Sequence, residues 1–101
     1  MSGRRAIRRV VIRGHVQGVG FRAWTEHEAR RRALDGWARN RRDGSVEAVF
    51  SGPPETVTSM VEACRRGPPL SRVDALDVQD AHLNDLGQRR DGEKFSLLPT
   101  V

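Results

Sequence analysis

The segment LDGWARNRRDGSVEAVFSG, residues 34–52, holds two strand-like runs on either side of Asp43-Gly44. A tight hairpin turn needs positive φ angles, and glycine adopts them at little cost. This dipeptide therefore predicts a β-hairpin, with one strand over residues 35–41 and an antiparallel partner over residues 45–51. An antiparallel hairpin at this place argues against a parallel sheet built from successive βαβ units.

In the second strand of this hairpin, apolar side chains occupy every second position from Val46 to Phe50. Alternation puts successive side chains on opposite faces of a sheet, so one face receives Val46, Ala48 and Phe50. These three residues predict the face that packs on the core. Glu47 points the other way, and we expect it to be a surface charge.

Runs on both sides of the hairpin complete the order β-α-β-β-α-β. Residues 6–13 are rich in β-branched side chains and predict a strand, whereas residues 21–33 lack Gly and Pro and predict a helix. Beyond the hairpin, residues 55–67 predict a second helix and residues 71–81 a fourth strand. A short apolar run over residues 94–101 is a candidate for a last strand.

This order is typical of the α+β class, in the ferredoxin-like split βαβ plan. Two helices would pack on one face of an antiparallel sheet. We expect a single domain over residues 1–101, with its core over about residues 6–98 and a polar loop over residues 82–93. The plan hosts enzymes, metal chaperones and RNA-binding proteins, so function must be argued from particular residues.

Cysteine and histidine indicate no metal site in this sequence. The single cysteine, Cys64, excludes an internal disulfide and a cluster of thiolate ligands. It falls on one helical stripe with Val57, Met60 and Val61, which predicts a small core residue rather than a nucleophile. The three histidines show no ligand spacing. We therefore expect neither a metal nor a cofactor.

The composition fits a globular protein that attracts anions. The 101 residues suffice for one modest core, with 37% hydrophobic and 31% charged residues and a formal net charge of +5. A basic surface attracts nucleic acid and phosphorylated small molecules alike, so charge does not choose between them. No run reaches the length of a membrane span, and the apolar run near the N-terminus is too short for a secretory signal. We expect a cytoplasmic monomer.

The glycine-rich segment GHVQGVGFRAW, residues 14–24, joins the first predicted strand to the first helix. Part of it is similar to a dinucleotide fingerprint, but that motif needs the parallel sheet that the hairpin argues against. A P-loop is excluded because no Gly-Lys-Ser/Thr sequence follows. A tight crossover from strand to helix would explain one or two glycines, but not the whole block of residues 17–22.

An anion cradle explains the segment best. Successive backbone N–H groups in glycine-permitted conformations converge on phosphate oxygens, and a helix that begins near Phe21 adds its positive end. Arg22 then lies in the first helical turn, where the helix dipole disfavours a cation. A residue that local physics disfavours indicates a functional reason, and a planar guanidinium grips two phosphate oxygens at once.

Two long motifs resemble the signatures of the acylphosphatase family. The first, G-x-V-Q-G-V-G-F-R, is matched by Gly14 and by residues 16–22. The second, G-x-x-x-N-x-x-D-G-x-V-E, is matched by Gly36, Asn40, Asp43, Gly44, Val46 and Glu47. The resemblance covers roughly residues 7–80, and two long motifs are far more specific than one glycine pattern. The fold that it implies is the plan reached above from periodicity.

The resemblance implies metal-free hydrolysis of the carboxyl–phosphate bond of small acyl phosphates, with no covalent phosphoenzyme. It implies that Asn40 orients the attacking water. It also implies that Arg22 binds the phosphate together with backbone N–H groups of the loop, which comprises His15, Val16, Gln17, Gly18, Val19, Gly20 and Phe21. After the first helix, Arg32 and Ala33 replace the usual aliphatic residue and glycine, so this helix need not end in the usual glycine cap.

Two other classes of protein are compatible with the fold plan. The charge permits a nucleic-acid-binding module, but the sequence has no tyrosine, 5% aromatic residues and no RNP1-type motif, so we do not expect nucleic acid as a partner. A regulatory or partner module would keep the phosphate cradle without turnover, and similar domains occur at the start of larger carbamoyl-transferring proteins. The length of 101 residues favours a free-standing enzyme that acts on a small-molecule acyl phosphate.

Overall fold

The computed structural model describes residues 4–101, so residues 1–3 of the expected domain lie outside the described part. The described chain contains the elements β1 (Ala6–His15), α1 (Phe21–Arg31), β2 (Asp35–Asn40), β3 (Val46–Gly52), α2 (Pro54–Arg66), β4 (Arg72–Asp80), α3 (Leu83–Leu86) and β5 (Phe95–Leu97). The predicted order of strands and long helices is confirmed. Among these helices none combines the length and the apolar character that a membrane span requires.

The strands form one mixed sheet in the order β4-β1-β3-β2-β5. Strand β1 lies antiparallel to β3 and to β4, and β2 lies antiparallel to β3, as the hairpin predicts. Strand β5 runs parallel to β2 at the edge of the sheet, with Phe95 opposite Gly36 and Leu97 opposite Ala38. The last apolar run is therefore a strand, and its direction makes the sheet mixed rather than wholly antiparallel.

Both long helices pack on one face of the sheet, where the larger hydrophobic core lies. Val46, Ala48 and Phe50 are fully buried in this core, as alternation predicts. Cys64 of α2 is fully buried there too, which confirms it as a core residue. Burial raises the pKa of its thiol to about 12, so the sulfur stays protonated and unreactive near neutral pH.

The opposite face of the sheet carries a smaller cluster that includes Trp37 and Leu86. The indole N–H of Trp37 donates to the backbone carbonyl of Asp85 (2.6 Å), and this bond fastens α3 to β2. Helix α3 falls within residues 82–93, where the sequence predicts a loop. Four helical residues are too few to produce a periodic pattern, so the prediction of a loop is wrong at this point.

Glu47 is not the surface charge that alternation predicts. Its side chain faces away from the larger core, yet the residue is only 3% exposed. The Nε atoms of Arg9 and Arg39 donate to its two carboxylate oxygens, at 2.5 and 2.8 Å. Alternation reveals which face a side chain takes but not its neighbours, and here β1 and β2 each bring one arginine to β3.

Helix α1 ends in a Schellman motif although no glycine follows it. The N–H of Leu34 donates to the carbonyl of Ala29 (2.9 Å), and the N–H of Ala33 donates to the carbonyl of Arg30 (3.0 Å). Ala33 takes the left-handed conformation, with φ of 58°, that glycine occupies in most such caps. The usual ending is therefore kept, at the cost of steric strain on an alanine.

Candidate active site

The glycine-rich loop enters α1 through two residues with a left-handed backbone. Gly18 has φ of 76° and Gly20 has φ of 79°, conformations that residues with a side chain seldom adopt. A Cβ atom at either position would meet no atom within 4 Å, so the backbone conformation, not space, requires glycine. Gly20 is also the N-cap of α1 and supplies no side-chain cap, so the first N–H groups of the helix stay available.

A cleft of about 220 Å³ lies between this loop and the end of β2. Its lining comes from the loop, the first turn of α1 and two strands, and comprises Val16, Gln17, Gly18, Gly20, Phe21, Arg22, Ala23, Asn40 and Leu97. The structure thus brings most of the predicted loop together with Arg22 and Asn40. Two predicted loop residues are not part of the cleft lining: His15 is the exposed last residue of β1, and Val19 packs against the larger core.

Arg22 lies in the first turn of α1, partly buried beside the loop. Within residues 4–101 its guanidinium makes no hydrogen bond and no ion pair. By contrast, Arg30 and Arg31 at the other end of α1 pair with glutamates of the same helix. The first turn of α1 contains no acidic residue. The charge of Arg22 is therefore available to an anion in the cleft.

Asn40 is the last residue of β2 and faces the side of the sheet that carries α1 and α2. Its register partner, Val46, points into the larger core. The backbone carbonyl of Asn40 accepts a hydrogen bond from the N–H of Val101 (3.2 Å), beyond the end of β5. In the described part of the chain the side-chain amide of Asn40 makes no hydrogen bond. The side-chain amide of Asn40 therefore offers the cleft a neutral group that can both donate and accept hydrogen bonds.

The side chain of Gln17 ties the loop to the β2–β3 hairpin. Its Nε2 atom donates to the backbone carbonyls of Arg41 (2.7 Å) and Ser45 (2.8 Å). The glycine motif predicts Gln17 only as a loop residue, and nothing in the sequence indicates this contact. Leu97 is a second lining residue that the sequence does not predict, because the register of β5 is not readable from so short a run.

Asp43 fixes the turn of the hairpin and takes no part in the cleft lining. Its Oδ1 atom accepts hydrogen bonds from the hydroxyl (2.6 Å) and the N–H (2.9 Å) of Ser45, and Oδ2 accepts one from Arg13 (3.3 Å). The Ser45 hydroxyl, then its N–H, and then Arg13 lower the pKa of Asp43 from 3.8 to about 2. Asp43 is thus ionised near neutral pH and stabilises the turn.

The polar groups of the cleft suit the binding of an anion better than proton transfer. They are a guanidinium, two side-chain amides and backbone N–H groups, and the lining contains no carboxylate, imidazole or thiol that could act as a general base. Within residues 4–101 no three or more His, Cys, Asp and Glu side chains gather where they could hold a metal ion. The arrangement can therefore hold an anion and orient a neutral molecule such as water beside it.

Known proteins are similar to this chain both in sequence and in fold. The acylphosphatase family model matches residues 8–92. An acylphosphatase of Bradyrhizobium diazoefficiens is 60% identical over 97 residues, which are 96% of this chain and 98% of that protein. The crystal structure of acylphosphatase from Bacillus subtilis has a TM-score of 0.78 at 38% identity, over 91% of this chain and 97% of the other. An acylphosphatase structure from Coxiella burnetii has a TM-score of 0.82 at 26% identity, over 97% and 100%.

The family match extends over the elements that build the cleft. Residues 8–92 include the glycine-rich loop, α1 and the β2–β3 hairpin. The relatives are similar to this chain over nearly their whole length, in sequence and in structure. This chain therefore belongs to the acylphosphatase family and has the activity of an acylphosphatase.

Proposed function

We propose that the cleft between the glycine-rich loop and β2 hydrolyses small acyl phosphates to a carboxylate and inorganic phosphate. One observation carries this proposal: the guanidinium of Arg22 and the amide of Asn40, both unpaired among the described residues, line one cleft from two separate elements. An acyl phosphate and the water that attacks it give each group a partner. The charged phosphate would bind the guanidinium, and the water would hydrogen-bond to the amide.

The loop from His15 to Phe21 would hold the phosphate through backbone N–H groups. Consecutive N–H groups around left-handed residues form a concave site for anions, and Gly18 and Gly20 supply that conformation. The N-terminus of α1, an 11-residue helix, adds the positive end of its dipole at the same place. Both contributions come from the backbone, so they do not depend on a titrating side chain.

Arg22 would bind the phosphate oxygens with two parallel hydrogen bonds and balance the charge that they carry in the transition state. This role accounts for a cation at the N-terminal end of a helix, where the dipole disfavours it in the absence of a ligand. The same guanidinium contributes to binding and to rate, because the phosphate is charged both before and during the reaction.

Asn40 would orient the water that attacks phosphorus. An asparagine amide cannot take a proton at neutral pH, so its contribution is to position the water rather than to deprotonate it. The proton of the water would pass to an oxygen of the substrate phosphate. A carboxylate is a good leaving group, so the reaction needs no strong general acid, and no carboxylic acid or imidazole lines the cleft to act as one.

A metal-free reaction is consistent with the residues of the cleft. Phosphoryl transfer depends mainly on positioning and on charge stabilisation, and the loop, Arg22 and Asn40 supply both in this proposal. We further propose that the chain works as one domain and as a cytoplasmic monomer. A single sheet carries both long helices, the only cysteine is buried and reduced, and the net charge of +5 disfavours self-association.

Two alanine variants test how the roles are divided between Arg22 and Asn40. With benzoyl phosphate as substrate, Arg22→Ala should raise both KM and the inhibition constant of inorganic phosphate and should also lower kcat. Asn40→Ala should lower kcat by about 100- to 1,000-fold, the usual loss for a donor that stabilises a transition state, with KM nearly unchanged. Asn84→Ala, on exposed α3, is the matched control. Wild-type kcat in Asn40→Ala would refute the water-positioning role.

A further inference from the structure

The side-chain amide nitrogen of Gln17 donates both of its hydrogens to the turn of the β2–β3 hairpin. Nε2 lies 2.7 Å from the carbonyl oxygen of Arg41 and 2.8 Å from that of Ser45. The same two residues also bond to each other, because the N–H of Arg41 donates to the carbonyl of Ser45 (2.9 Å). Gln17 therefore binds the chain at the point where β2 has just ended and β3 is about to begin.

These two bonds join two parts of the cleft that are distant in sequence. Arg41 directly follows Asn40, whereas Gln17 directly precedes Gly18 in the loop. In the described part of the chain, no other hydrogen bond joins residues 16–20 to residues 40–45. The position of the loop relative to Asn40 thus depends on packing and on this one side chain.

We infer that the side chain of Gln17 is a positioning residue, which sets the distance between the loop that holds phosphate and the amide of Asn40. The inference rests on the function proposed above. It adds a role for the side chain of Gln17, a residue of which only the backbone N–H was assigned to phosphate binding. Attack by water requires the water and the phosphorus to be placed together, and an error of 1 Å can cost about 100-fold in rate.

Glutamine suits this role for chemical reasons. Its primary amide presents two donors without a charge, and both donors are needed because the partners are two carbonyl oxygens. A glutamate would turn an acceptor toward each carbonyl, and an asparagine is one methylene too short to keep both contacts. A methionine has a similar length and no donor. The three substitutions therefore separate the hydrogen bonds from the bulk of the side chain.

The first test is Gln17→Met, with Gln79→Met on exposed β4 as the matched control. Gln17→Met should lower kcat for benzoyl phosphate by about 10- to 100-fold, because the water and the phosphate are no longer held at the distance that attack requires. The inhibition constant of inorganic phosphate should change less than twofold, because Gly18, Gly20 and Arg22 still form the anion site. Gln79→Met should leave both quantities unchanged.

A double-mutant cycle with Asn40→Ala separates positioning from a general loss of structure. If Gln17 acts through Asn40, Gln17→Met should lower kcat much less in the Asn40→Ala background than in the wild type. Thermal unfolding shows whether each variant is folded. Should Gln17→Met fail to fold, Gln17→Asn takes its place in the cycle, since it keeps an amide but loses at least one of the two bonds.

Three results would overturn the inference. They are an unchanged kcat in the Gln17 variant, a phosphate inhibition constant that rises as much as kcat falls, and an undiminished effect of the Gln17 change in the Asn40→Ala background. The last result, with a reduced kcat in Asn40→Ala alone, leaves the proposed function intact. If Asn40→Ala alone has wild-type kcat, both the proposed role of Asn40 and the inference fail.

Discussion

Arg39 and Glu47 stand opposite each other in β2 and β3, and their side chains form an ion pair of 2.8 Å on the sheet face away from the cleft. Arg39 directly precedes Asn40, and successive residues of a strand face opposite sides of the sheet. The ion pair on one face therefore helps to hold Asn40 on the other. Arg9 bonds to the second oxygen of Glu47, so the carboxylate is held from both neighbouring strands.

Replacement of Glu47 by glutamine should lower the free energy of unfolding by about 1.5–3 kcal/mol, because two charge-assisted hydrogen bonds to a buried carboxylate are weakened. Urea denaturation measures this loss. The matched control is Glu62→Gln, whose exposed ion pair with Arg65 should contribute no more than about 1 kcal/mol. Equal losses in the two variants would contradict the structural role of Glu47.

Ala33→Gly should stabilise the protein by about 0.5–1 kcal/mol, since glycine relieves the left-handed strain at the end of α1 but loses more conformational entropy on folding. The melting temperature should rise accordingly. Ala23→Gly, in the first turn of the same helix, is the control and should destabilise by a similar amount. A lower melting temperature in Ala33→Gly would show that the strain on Ala33 is smaller than the entropic cost of glycine and would contradict this prediction.

The arrangement of the elements is predictable from the sequence because each has a local signal. Asp43-Gly44 predicts the hairpin, the alternation of Val46, Ala48 and Phe50 predicts the buried face, and a helical stripe predicts the burial of Cys64. The structure bears out all three. The anion cradle is also indicated locally, because glycine spacing and a cation in the first helical turn are features of the sequence itself.

Contacts between distant segments are not predictable in this way. The burial of Glu47 depends on arginines that two other strands bring to it, and the hydrogen bonds of Gln17 depend on how the loop meets the hairpin. Leu97 lines the cleft only because β5 pairs with β2 in a particular register. Each of these features arises from tertiary packing between distant segments. Such contacts leave no periodic pattern in the sequence, so a single sequence does not predict them.

The Asp43 carboxylate should stabilise the fold in a pH-dependent way. Its folded pKa of about 2 lies below the ordinary 3.8, so the unfolded chain binds the proton more tightly. The contribution is therefore complete above about pH 4 and is lost as the pH falls through about 2. The difference in unfolding free energy between the wild type and Asp43→Asn should shrink over this window. A difference that is independent of pH would contradict the assignment.

Gly18→Ala and Gly92→Ala should separate the anion site from backbone strain. Both glycines have positive φ, 76° and 80°, and a Cβ atom at either would meet nothing within 4 Å. Each substitution should therefore cost about 1 kcal/mol of stability through strain alone. Only Gly18→Ala should raise the inhibition constant of inorganic phosphate, because only Gly18 belongs to the cleft loop. Equal phosphate inhibition in both variants would argue against a backbone cradle.

The most direct test of the proposed chemistry is the hydrolysis of benzoyl phosphate, followed by ultraviolet absorbance with EDTA present. The wild type should turn over rapidly despite the chelator, and Arg22→Ala should lose about 100- to 1,000-fold or more in kcat/KM. Arg65→Ala, at the exposed end of α2, should behave like the wild type. Turnover that EDTA abolishes, or that survives the loss of Arg22, would contradict a metal-free site built on the loop and this arginine.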